Sequence, residues 1–282
     1  MPDARARLAS VEIGGRSSVA VMGVINVSPE SFHPGSVYRG DEAVLRAALD
    51  MVEAGAALVD VGARSTAPYL PTEISEAEET DRLARAVALL ADKLPVPVSA
   101  DTRRPAVARA ALEAGARVLN DVSALSDVAL AREIAAHDAS LIAMAAPGRG
   151  RTLTTPLETV RSVLAEALAR ARAAGIADER IVLDPGIGFF REAAAAWHEW
   201  DVAVLAGLPA LHALGRPLCV CVSRKSFIGA LTGRAATEER LAGSLAATAA
   251  AVLGGAALIR THDVRETVDA VRVAERIRQA AP

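Results

Sequence analysis

Aromatic side chains make up only 3% of this 282-residue chain, and it has two cysteines and no strong charge bias. So few rings exclude a platform of stacked aromatics for single-stranded nucleic acid. A formal net charge of −3 excludes the basic footprint of a nucleic-acid or polybasic membrane surface. Cys219 and Cys221 stand two apart in "PLCVCVS", without the further Cys or His that a four-ligand zinc site needs, so they read as small buried hydrophobes. No stretch approaches the roughly 20 charge-free apolar residues of a membrane span, and the opening "MPDARARLASVEIGG" lacks the apolar centre of a secretory leader. A cytoplasmic protein is expected, with neither membrane nor nucleic acid as partner. Catalytic signatures are missing too: there is no GxSxG elbow and no HExxH, and "DPGIGFF" has neither the spacing of a phosphate loop nor that of GxGxxG.

What the chain does have is alternation. Short apolar runs recur at "VAVMGVI" (19–25), "ALVDV" (57–61), "VPVSA" (96–100), "RVLN" (117–120), "SLIAM" (140–144), "RIVLD" (180–184), "LCVCV" (218–222) and "ALIR" (257–260), with amphipathic stretches between them. About eight strands, each followed by a helix, is the count of an α/β protein of the (β/α)8 barrel type. The helices mark their own ends. "EAVLRAALDMVEAGA" and "PAVARAALEAGA" both close in Ala-Gly-Ala, and Ser75 with Glu78 forms a capping-box pattern. No low-complexity linker divides the chain, so a single barrel domain over 1–282 is expected. Residues 1–18 would form a short lead-in or hairpin across the barrel bottom.

In such a barrel the chemistry gathers at the carboxyl ends of the strands, and the polar residues cluster there. The strand ends run into "NVSPESF", "GARSTAP", "DTRR", "NDVS", "MAAPGRG", "DPGIGFF", "SRKSF" and "RTHD". Asp101, Asn120 and Asp184, from three strand ends, offer the mixed donors and acceptors that fit a flat aminopyrimidinone-like heterocycle. Each taken singly could equally cap a helix or tie down a loop. Lys225 is a placed cation for a carbonyl or ring nitrogen. Arg260 and His262 converge on a helix start as an anion site, with Asp263 positioned to cap that helix. A solvated surface arginine is the plain alternative for Arg260. Gly186 and Gly188 would let the chain turn so that Phe189 or Phe190 lies against a flat ligand. A metal, if used, would be Mg2+ held partly by substrate phosphates, with Asn26 as the protein ligand.

The motifs "MGVINVSPESF", "SADTRRPAVARAALEAGARVLNDVSAL", "DPGIGF", "VSRKSFIG" and "RTHDVRETVDAVRVAERI" resemble, in order and from about Val21 to the end, the dihydropteroate synthase family of pterin-binding barrels. The resemblance implies condensation of 6-hydroxymethyl-7,8-dihydropterin pyrophosphate with p-aminobenzoate, releasing pyrophosphate, with Mg2+ as cofactor. It also implies a homodimer through the late helices. Asp101, Asn120, Met144, Asp184 and Lys225 match the pterin positions, with Asp101, Asp184 and Lys225 carrying catalysis. Asn26, Thr66, Arg260 and His262 match the pyrophosphate and metal positions. Ser65, Thr66, Pro68, Phe189, Phe190 and Ser223 fall in the aminobenzoate pocket. Departures sit in the loops: Glu30 stands where the family has Asp, Ala145 where it has His, and Cys221 where it has Gly. The second loop replaces Gly-Glu-Ser-Thr-Arg-Pro-Gly with Ala63, Arg64, Ser65, Thr66, Ala67, Pro68 and Tyr69. Arg64 could stand in for the arginine absent at Ala67, and the change bears on how sulfonamides compete. Two other readings stay open. One is a methyltetrahydrofolate:corrinoid methyltransferase on the same barrel, which would have no pyrophosphate to hold. The other is a pterin binder without catalysis.

Overall fold

A computed structural model describes residues 4–28, 40–65, 74–148, 155–191 and 196–280. A hairpin of β1 (Arg5–Leu8) and β2 (Val11–Gly14) comes first, paired antiparallel from Arg5 to Gly14. The eight barrel strands follow. They are β3 (Ala20–Asn26), β4 (Leu58–Gly62), β5 (Val98–Asp101), β6 (Val118–Asp121), β7 (Ser140–Met144), β8 (Ile181–Asp184), β9 (Cys219–Val220) and β10 (Leu258–Thr261). All pair parallel in the order β8-β7-β6-β5-β4-β3-β10-β9. A parallel bridge between Leu183 and Leu218, with the Leu183 N–H donating to Pro217 O at 3.0 Å, joins β8 to β9 and closes the circle. The (β/α)8 barrel expected from the alternation is therefore present, and each strand lies within a residue or two of its apolar run.

The helices α1 (Asp41–Glu53), α2 (Glu76–Lys93), α3 (Pro105–Glu113), α4 (Val128–Ala136), α5 (Pro156–Ala173), α6 (Trp197–Ala206), the short α7 (Leu208–Leu211), α8 (Ser226–Thr232), α9 (Leu241–Leu253) and α10 (Val264–Ala280) surround it. Among the described residues, none is long and apolar enough to cross a membrane. The start of α2 is capped as the sequence predicts, with the Glu78 N–H donating to Ser75 Oγ at 3.1 Å. Gly55 and Gly115 take φ of +106° and +116° just past α1 and α3, where a side chain would be strained.

Side-chain alternation splits the core in two. One set of strand residues, including Val59, Val61, Ala100, Leu119, Ala143, Leu183 and Ile259, packs outward against the helices. The other set, Met22, Leu58, Val118, Ile142, Val182, Cys219 and Leu258, fills the lower barrel, where Ala6, Leu8 and Ile13 of the hairpin join it. The lead-in is thus a hairpin that stoppers the barrel. Ser140 Oγ ties it down, accepting from Ala9 N–H and donating to Arg7 O, each at 3.0 Å.

Candidate active site

Two residues further along several of these strands, the inward position changes from apolar to polar or charged. Leu58 is followed by Asp60, Val118 by Asn120, Val182 by Asp184 and Leu258 by Arg260, while β5 contributes Ser99 and Asp101. Asp60 and Ser99 are fully buried, and Asp101, Asn120 and Asp184 nearly so. Strand register sets Asn26, Gly62, Asp101 and Asn120 side by side across β3 to β6.

Buried charges need partners, and Arg260 supplies them from across the barrel. Its Nε donates to Asp60 Oδ2 and its Nη2 to Asp101 Oδ2, each at 2.8 Å. Asp60 also accepts from Ser99 Oγ at 2.5 Å and from Asn120 Nδ2 at 3.2 Å. Arg260 thereby departs from the solvated-arginine alternative: its guanidinium is bound into a carboxylate cluster, and its third arm lies 3.9 Å from Cys221 Sγ. Burial works against its positive charge, but Asp60 and Asp101 together raise its proton affinity above the ordinary value.

Asp101 Oδ1 is buried and has no hydrogen-bond partner among the described residues. Burial raises this carboxyl to about 7; Arg260 opposes the shift, and Asp60 and Glu79 add to it. Two acids sharing one guanidinium leave Asp101 as the group whose proton is in balance near neutrality. Asp184 is also raised by burial, against its bond from the Gly186 N–H at 2.7 Å and the charges of Lys225 and Arg260. Asp121 lies beside Asn120 but serves the loop, accepting from Ser123 Oγ, Ser123 N–H and Leu125 N–H.

On the β8–β9 side Gly186 and Gly188 both take positive φ, as a sharp turn requires. Gly188 takes φ of +87°, and a Cβ there would lie 3.2 Å from Lys225 Cδ, so the missing side chain is where the lysine stem crosses the turn. Lys225 Nζ sits 4.8 Å from the centre of the Phe189 ring. Phe190 departs from expectation. It is 1% exposed and stacks on Trp200 at 5.3 Å, packed in the layer between barrel and helices, so of the two phenylalanines only Phe189 remains a candidate for a ligand. Ser223, 2% exposed, faces His262, with Ser223 Oγ 3.0 Å from His262 Nδ1. Residues assigned to separate aminobenzoate and pyrophosphate sites are therefore neighbours. Asp263 does not cap α10 with its side chain: both its oxygens accept from Arg224, at 2.8 and 2.7 Å, locking the "SRKSF" turn to the end of β10.

Arg64 is paired with α2, while position 67 lies outside the described residues. Its Nε lies 3.1 Å from Glu79 Oε2 on α2, and Arg104 and Thr102 reach the same buried carboxylate at 2.9 and 2.8 Å. Burial lowers the proton affinity of Arg64, while Glu79 sustains it. Thr66 and Pro68, with Glu30, Ala67 and Tyr69, lie outside the described residues. Ser65 is half-buried just before them, and Met144 is buried in register with Asp184. Among the described residues, no group of three or more His, Cys, Asp or Glu could hold a metal. Asn26 Oδ1 lies 3.5 Å from where a Cβ on Gly62 would be, facing the Asp101 side of the mouth.

Sequence reasoning missed Asp60, Ser99 and Glu79. A signal was present for Asp60: one acid inside the apolar run "ALVDV" must meet a buried partner if that run is a barrel strand.

Comparison with known proteins agrees with this fold. Residues 22–262 match the family described as pterin binding enzyme. Dihydropteroate synthase of Escherichia coli strain K12 is 37% identical over 261 residues, covering 90% of each chain. The Yersinia pestis dihydropteroate synthase, solved with a sulfonamide drug complex, superposes with a TM-score of 0.88 at 32% identity, covering 98% of this chain and 100% of that one. The Xanthomonas albilineans enzyme, solved with 4-aminobenzoic acid, gives 0.87 at 37% identity over 99% of both chains. The chain belongs to the dihydropteroate synthase family of pterin-binding enzymes.

Proposed function

We propose that this barrel mouth joins a dihydropterin pyrophosphate to p-aminobenzoate, and that the buried ring of Asp101, Asn120, Asp184 and Arg260 is where the pterin lies. The observation that carries this reading is Asp101 Oδ1, a buried acceptor with no partner among the described residues, inside a cluster whose other polar arms are mostly engaged. A ring N–H would complete it, and Asp184 and Asn120 would meet the rest of the heterocycle's polar edge.

The reaction breaks the bond between the pterin methylene carbon and the phosphate oxygen, and pyrophosphate leaves with the electron pair. The amine nitrogen then bonds to that carbon and loses a proton. Positive charge develops on the pterin methylene, and fixed carboxylates in a dry mouth stabilise it without reorganising. Ionised Asp101 is the group best placed for this, with Arg260 holding it in position. Phe189 would flank the incoming arene, with Lys225 beside it reaching toward the pterin, and Ser223 with His262 would stand where aminobenzoate and leaving group meet. The set fits a cation held mainly by substrate: one amide oxygen on Asn26, near a carboxylate, with no acidic cage among the described residues. Mg2+ bound through Asn26 would neutralise charge on the pyrophosphate. A homodimer through the late helices also fits, since Leu253 on α9 and Val273 and Ile277 on α10 are exposed apolar residues.

The test is pyrophosphate release with the pterin pyrophosphate, with and without p-aminobenzoate. Release dependent on aminobenzoate, with dihydropteroate as product, is expected. Tight pterin binding without turnover would instead support a non-catalytic binder.

A further inference from the structure

The turn that carries Phe189 is held from outside the barrel mouth. Its Gly188 peptide is pinned on both sides: the N–H donates to Asp201 Oδ1 at 2.7 Å, and the carbonyl accepts from Arg191 Nε at 3.0 Å. Both pins depend on the first turns of α6. Asp201 belongs to that helix, and the Arg191 guanidinium lies 3.9 Å over the Trp197 ring and also donates to Ser226 Oγ. Trp200, from the same helix, stacks on Phe190. Phe189 itself is half-buried and meets Lys225.

Asp201 is a buried acid whose side chain is only half engaged. It is 1% exposed on α6, one oxygen holds Gly188, and the other has no partner among the described residues. Burial raises its carboxyl, with the Gly188 bond and the charges of Lys225, Arg191 and His198 opposing the shift. A buried acid kept for a single backbone bond points to the geometry of that backbone.

We propose that Asp201 is a positioning residue for the aminobenzoate half of the reaction: through Gly188 it fixes the Phe189 ring against Lys225, and so shapes the arene's side of the site. It touches no substrate. The inference rests on the assignment of Phe189 to that side. The hydrogen bond carries the role, because an amide at position 201 would still accept from Gly188, and its nitrogen would replace an oxygen that receives nothing from the described residues.

Steady-state kinetics of the full chain test this, with both substrates varied. Asp201→Ala is expected to raise the KM for p-aminobenzoate about tenfold, the scale of one charge-assisted hydrogen bond. The KM for the pterin pyrophosphate should stay within about twofold. Asp201→Asn should restore the aminobenzoate KM to within about twofold of wild type. Arg191→Met, which frees the other side of the peptide at a partly exposed position, should show the same one-sided change more weakly and serves if the alanine variant does not fold. Both KM values rising together, or Asn failing to rescue, would overturn the proposal. Phe189→Ala separates the two levels. If it raises the aminobenzoate KM while Asp201→Ala and Arg191→Met do not, the role of Asp201 falls alone. If it changes nothing, the assignment beneath the proposal falls with it.

Discussion

The two ends of the barrel are built from the same strands, two residues apart, and they follow opposite rules. At the bottom, Met22, Leu58, Ile142 and Leu258 make a dry plug under the hairpin. At the top, Asp60, Asp101 and Arg260 occupy the corresponding inward positions as a buried ion cluster. Burying apolar area stabilises the fold at about 25 cal/mol per Å2, whereas a buried ion cluster contributes little net stability, because desolvation offsets its attraction. The plug therefore serves stability, and the cluster has the role proposed for it above, toward a ligand.

Substitution should separate the ends. Arg260→Met leaves two buried carboxylates without their shared cation. Its kcat/KM, read by pyrophosphate release, is expected to fall at least about a hundredfold, with a loss of about 3–5 kcal/mol in stability by denaturant unfolding. Met22→Ala at the bottom should cost about 2–5 kcal/mol of stability and leave both KM values unchanged at a temperature where the variant is folded. A bottom variant that altered KM would break the comparison.

The pH response sharpens it. Asp101 holds its proton up to about 7 in the folded chain, but in the unfolded chain only to the ordinary carboxyl range. Between those values the folded state binds the extra proton, so this group makes stability fall as pH rises from about 4 to about 7, by at most ~1.4 kcal/mol per pH unit. Below the unfolded value it contributes no slope. Urea unfolding across that window should show a shallower fall in Asp101→Asn. In the wild type kcat/KM should rise through pH about 7 as the carboxylate forms, and this limb should be absent in the variant. The smallest effect belongs to Ser140→Ala, which unties the hairpin from the plug. A loss of ~1 kcal/mol is expected, with activity unchanged.

Much of this was legible in the chain. Eight apolar runs, the Ala-Gly helix endings and the clustering of polar residues at one end of the strands were enough for the barrel and for the end where those residues gather, since strand and helix periods and cap chemistry are local properties. The motifs around Asp101, Asn120, Asp184 and Lys225 were legible for the same reason: each lies at a strand end where the sequence changes character. What could not be read was partnership. Phe190 and Phe189 are adjacent and chemically identical, and only packing against Trp200 separates their roles. Arg64 stands in the second loop in the sequence, and only the fold shows that it meets Glu79 on the next helix.

The sequence by itself determined the order of elements, the alternation along each strand and which residues could bear charge at the mouth. Tertiary structure alone decided that Arg260 bridges Asp60 and Asp101, 200 and 159 positions away, and that Asp201 reaches back to Gly188. The physical reason is that a buried charge is defined by what surrounds it, and those surroundings come together only when β10 closes beside β3 and completes the ring.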